Sequence, residues 1–211
     1  MKRVLMCMAL WCGHGVAAAQ TFELSPQSTL MVHLFKDGAL SALGHEHAVW
    51  ATRFDGVLVL DTQDATHNRA VVNVDTSGLT LDESSARVAL GLSPRTPESD
   101  RQEATDNMRG RSQLDIARFP QMRFESTSIV PNADGTYRVT GRLSIHGVSQ
   151  TVSFPATVKV EGNQLVAQGS FRFKQSAFGY EPYSAVMGAI RVRDEAQMVL
   201  KLVGVARPVA P

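Results

Sequence analysis

From residue 121 onward the chain alternates apolar and polar side chains with a period of two, the mark of strands with one buried face. In residues 137–145, Val139, Leu143 and Ile145 point one way, while Arg138, Thr140, Arg142 and Ser144 point the other. In residues 151–161, Val152, Phe154, Val158 and Val160 alternate with Thr151, Ser153, Thr157 and Lys159. In residues 164–174, Leu165, Ala167, Phe171 and Phe173 oppose Gln164, Gln168, Ser170 and Arg172. Hairpin-type connections separate these runs at Asn132-Ala133-Asp134-Gly135 and Glu161-Gly162-Asn163, with a tight bend at Gly147. Further strands are expected over residues 28–35, 54–61, 69–75, 121–130 and 190–205.

Strands joined in succession by short turns must be antiparallel neighbours. About eight of them can close into a tube whose interior holds one small ligand. The expected fold is therefore all-β, an eight-stranded antiparallel lipocalin-like barrel.

The alternation stops over residues 82–116. Residues 82–87 read as a short helix start, and residues 98–108 as a second helical piece with Ser99 as N-cap. Pro94 and Pro97 break the chain between them. One or two short helices inserted between strands, lying over a barrel mouth, are expected; a solvated surface loop is the alternative.

Alternation assigns a lumen-facing set: Leu30, Val32, Leu58, Leu60, Met122, Phe124, Val139, Leu143, Val152, Phe154, Val158, Phe171 and Phe173. Ser126, Ser128, Gly141, Ala156, Ala167 and Gly169 fall among them, and small residues in a barrel wall leave room for a guest. A ligand head would need a few donors at the mouth. Arg109, Arg111, Arg191, Arg193, Tyr180 and Tyr183 are the candidates, since a guanidinium fork donates two hydrogen bonds at once.

The amino terminus adds a compartment. Lys2 and Arg3 precede a mostly apolar run over residues 4–16, and Ala17-Ala18-Ala19 supplies small residues for cleavage before Gln20. Residues 1–19 thus read as an export signal and 20–211 as one barrel domain in the periplasm. Cys7 and Cys12 both lie in the leader, so the exported chain would hold no disulfide and no cysteine ligand. Removing Lys2 and Arg3 from the 21 basic side chains leaves 19 against 20 acidic ones, which excludes the basic excess of a nucleic-acid binder. The exported part has no apolar run long enough for a transmembrane helix.

Four segments in order resemble the YceI family of exported lipocalin-like barrels. Leu114 to Ser126, with Phe119-Pro120 followed by Phe124-Glu125-Ser126, is similar to the family's short helix, aromatic-Pro pair and strand. Residues 135–148, Gly-Thr-Tyr-Arg-Val-Thr-Gly-Arg-Leu-Ser-Ile-His-Gly-Val, are similar to its central hairpin. Ser176-Ala177-Phe178-Gly179 resembles a family loop, and Val192-Arg193-Asp194-Glu195 with residues 198–203 resembles its last strand. The resemblance implies a long apolar lumen that binds a polyprenyl chain, a quinone or another lipid-like molecule, with no catalysis and no cofactor beyond that lipid.

Gly44-His45-Glu46-His47 departs from the family pattern. If extended, it puts His45 and His47 on one side, a plausible pair of ligands for a divalent metal, with His33 nearby. The alternative function is accordingly a metal-binding periplasmic protein or a metalloenzyme of the cupin type. Against a cupin, residues 48–53 contain no acid, and His146 sits in the wrong context. No nucleophile elbow, Ser-x-x-Lys motif or phosphate-binding glycine loop occurs. A third possibility is a barrel that is only a scaffold for a protein partner.

Overall fold

The computed structural model describes residues 19–207; the expected leader lies outside that range except for Ala19. The strands are β1 (Gln20–Leu24), β2 (Thr29–Asp37), β3 (His47–Ala51), β4 (Phe54–Leu60), β5 (Arg69–Asp75) and β6 (Leu79–Leu81), followed by helices α1 (Ser84–Ala89) and α2 (Glu98–Arg109). The second half contributes β7 (Gln121–Pro131), β8 (Tyr137–Ile145), β9 (Val148–Glu161), β10 (Gln164–Lys174), the two-residue β11 (Ser184–Ala185) and β12 (Ile190–Ala206).

The sheet runs β1-β4-β5-β7-β8-β9-β10-β12 and closes through antiparallel pairing of β1 with β12. This is the eight-stranded antiparallel barrel that the alternation implies. In β8 the pattern is carried out as read, with Val139, Gly141, Leu143 and Ile145 buried. The β8–β9 turn puts His146 at φ 52° and Gly147 at φ 75°, the two positive values that a type I′ turn requires.

Beyond the ring, β2, β3 and β6 continue the sheet from the upper part of β12. The chain leaves β1 and rejoins the same edge of β12 at β2. Across the break, buried Ser28 stands in for the ladder: its Oγ accepts from the Val203 amide at 2.9 Å and donates to the Val203 carbonyl at 3.2 Å. The outer face of this extension is covered by α1, where Met31, Ala48 and Ala86 pack with Trp50, Leu90 and Leu92. Its inner face is also apolar. Strands covered on both sides lose the polar half of their pattern, which is why β3 gives no period-two signal.

Three expectations need correction. The helix expected to be capped by Ser99 begins at Glu98 after Pro97, and no side chain caps it. Register shifts between Ser126 and Ser128, so Ser128 is exposed and Ile129 turns inward instead. A bulge of one residue flips every later side chain to the other face. Val160, expected inside, is exposed.

Candidate ligand-binding site

The ring is hollow. Its interior holds a cavity of about 530 Å³, within the range of small-molecule sites. Leu30, Val32, Leu58, Leu60, Met122, Phe124, Val139, Leu143, Phe154, Val158, Phe171 and Phe173 all line it, as the alternation places them. Val152 does not; it packs with Val139 and Phe154 in the wall. Phe124, Val158, Phe171 and Phe173 point inward yet are only half-buried. In a filled barrel such side chains would be fully enclosed, so their exposed surface is the surface of the lumen.

An aromatic column runs along this wall. Phe171 stacks on Phe154 with ring centroids 4.8 Å apart, Phe124 lies 6.2 Å from Phe154, and Phe173 meets Phe178 edge-on at 5.7 Å. The glycines expected to open the lumen serve this column instead. A Cβ on Gly141 would sit 2.6 Å from the Phe124 ring, and one on Gly169 would sit 3.2 Å from the Phe154 ring. Neither glycine lines the cavity. Of the small residues, Ala156 and Ala167 do line it.

Sequence alternation missed part of the wall: Leu34, Val49, Leu81, Met108 and Leu114 also face the cavity. The first three lie in the doubly covered extension. Met108 comes from α2, which lies over this end with Ala104, Asn107 and Asp100 also lining the space. The helical segment therefore does cover a barrel mouth.

The expected headgroup donors divide. Tyr180, Tyr183 and Arg191 reach the cavity, although Arg191 also pairs with Asp37 at 3.1 Å. Burial pushes the Tyr180 phenol well above its ordinary pKa, with the charge of Asp194 adding to the effect, so it remains a donor. Arg109 is a correction: its Nη2 donates to the Leu79 carbonyl at 2.8 Å and ties the end of α2 to β6, outside the lining. Arg111 is exposed on a turn, and Arg193 lies over the outer face of Phe35 at 5.6 Å.

β3 starts at His47, so His45 lies before the strand and the same-face argument does not apply to it, yet both histidines line the cavity. Exposed His45 approaches Asp100 at 3.7 Å, and His33 Nε2 pairs with Glu46 at 2.9 Å. His47 Nδ1 lies 2.7 Å from Asp82 Oδ2. Asp82 had been read only as a helix start. It sits at φ 59° between β6 and α1, with its side chain fully buried. Burial, the largest influence on its carboxyl, favours the neutral form. Hydrogen bonds from His47, Ala48 and Arg87, with the attraction of His47 when that ring is charged, outweigh it and hold Asp82 below the usual carboxylate range. Among the described residues, no group of three or more potential metal ligands occurs.

Comparisons with known proteins agree with this architecture. A family model described as YceI-like domain matches residues 37–204. A UPF0312 protein of Yersinia pestis is 26% identical over 156 residues, 74% of this chain and 70% of that relative. One from Pseudomonas putida is 28% identical over 150 residues, 70% of this chain and 67% of that relative. Among solved structures, Burkholderia cenocepacia BcnA superposes with a TM-score of 0.65 at 21% identity, covering 85% of this chain and 98% of its own. The Campylobacter jejuni YCEI protein superposes with a TM-score of 0.56 at 12% identity, covering 76% and 85%.

Proposed function

The chain belongs to the YceI-like family, and from that premise we propose that it carries a long apolar lipid of the isoprenoid type, a polyprenyl chain or a quinone, in its barrel lumen within the periplasm. The observation that supports this reading most is the hollow interior: about 530 Å³ walled by inward-facing apolar side chains, of which Phe124, Val158, Phe171 and Phe173 are only half-buried. An isoprenoid tail offers almost no hydrogen-bonding groups. Its affinity must come from apolar area removed from water, at roughly 25 cal/mol per Å², and this wall provides that area.

A tube favours a chain-like guest over a compact one, because both of its faces contact wall along its length. The aromatic column Phe124, Phe154, Phe171 and Phe173 gives one side of the lumen a flat surface suited to unsaturated units. Export to the periplasm is supported by the basic start, the apolar run and the alanine triplet in residues 1–19. The role proposed is binding without catalysis.

Osmotic-shock release followed by lipid extraction and mass spectrometry tests the proposal. The protein is expected in the periplasmic fraction, with an isoprenoid alcohol or quinone enriched in its extract. Recovery in the cytoplasmic fraction, or extracts holding no isoprenoid, would count against it.

A further inference from the structure

At the helix-covered end, the apolar lining is interrupted by an imidazole held in one orientation. His47 lines the cavity, while its Nδ1 is fixed at 2.7 Å from Asp82. The other carboxylate oxygen of Asp82 accepts from the Ala48 amide at 2.8 Å and from Arg87 Nη1 at 2.7 Å. Arg87, itself buried, is anchored in turn on the Glu46 carbonyl at 2.8 Å and on the Ser93 carbonyl. These bonds fix the carboxylate and, through it, the ring.

The tautomer follows from chemistry. A carboxylate kept ionised can only accept, so the proton between the two groups belongs to Nδ1. An uncharged His47 then carries a lone pair on Nε2. That nitrogen has no hydrogen-bond partner among the described residues. Its strand partner Leu34 and the neighbouring Val49 are apolar and offer it none. An unpaired acceptor on a cavity wall is free to take a guest's donor, and a site built around one discriminates between guests that supply it and guests that do not.

We propose that His47 is the headgroup anchor of the lumen and that it selects lipids ending in a hydroxyl donor, such as an isoprenoid alcohol or a prenylated phenol. The proposal rests on the carrier reading and sharpens it. Asp82 is a positioning residue: it orients the ring and fixes its proton. Arg87 positions Asp82.

Farnesol and farnesyl methyl ether form a matched pair of probes, with the same tail and only the first carrying an O–H. Their affinities are compared by competition against a fluorescent apolar probe at about pH 9. Wild-type protein is expected to prefer the alcohol by about tenfold, the effect of one well-placed hydrogen bond. His47→Phe is expected to bring the ratio of alcohol to ether affinity down to about one. His47→Leu, checked with it by thermal melting, serves if the Phe variant does not fold. Equal binding of alcohol and ether by wild type, or a preference that survives in the variants, overturns the anchor and leaves the carrier intact. Binding of neither probe to wild type overturns both.

Discussion

At the residue scale, two phenylalanines with similar neighbours have different roles. Phe178 is 1% exposed and plugs the wall beside β9, where Gln150 Nε2 holds the Ala177 carbonyl at 2.7 Å. Phe171 is half-buried and borders empty space. Phe178→Ala is expected to cost about 3–5 kcal/mol of stability, as large core truncations do. Phe171→Arg is expected to weaken binding of an apolar ligand at least about tenfold with a smaller drop in melting temperature. Equal destabilisation by the two, read from denaturant unfolding, would make Phe171 a core residue and not a lumen wall.

A second test at this scale uses pH. The hydrogen bond from His67 and the amides of Asp64 and Gln63 pull the Asp61 carboxyl down to about 2. A depressed carboxylate adds stability above its unfolded value of about 3.9, and that stability fades as pH falls toward the folded value. Asp61→Asn should therefore melt below wild type at about pH 5, with the gap narrowing by about pH 2. A gap independent of pH would remove Asp61 from the acid response.

At the element scale, legibility followed how many faces of a strand are covered. β8, β9 and β10 face solvent on one side, and their alternation placed the lumen side chains of Val139, Phe154 and Phe171 correctly. β2 and β3 lie between the lumen and α1, so Met31 and Ala48 are buried on the side opposite Leu30 and Val49. With both faces apolar, the period vanished and β3 went unseen. The bulge at Thr127 was equally silent, and it misplaced Ser128. Asp82 and His47 are 35 residues apart, and no local spacing links them.

Helix α2 is the least secured element over the lumen. It starts without a side-chain cap, packs inward mainly through Ala104 and Met108, and is tied down by Arg101 to Glu83 at 3.0 Å and Arg109 to Leu79. Exposed ion pairs contribute at most about 1 kcal/mol. Amides of residues 102–109 should accordingly exchange with deuterium faster than those of β10 and β12, which pair along eleven successive positions. Equal protection would mean that the helix opens only with the whole barrel.

At the scale of the whole molecule, closure and hollowness together make the site. Pairing of β1 with β12 closes the ring. The same closure creates an interior whose wall side chains do not meet across the axis. The aromatic column rests on glycines at 141 and 169, which seat the rings of Phe124 and Phe154 against the wall and keep the centre clear. α2 covers one end, where His47 lines the cavity with Asp100 and Asn107.

The central claim, that this greasy tube takes up one chain-like lipid, is tested most directly by native mass spectrometry of the folded protein titrated with a long-tailed quinol. A single adduct of one quinol per chain, saturating and unaffected by moderate salt, is the predicted result. A folded barrel that stays empty throughout the titration would contradict it.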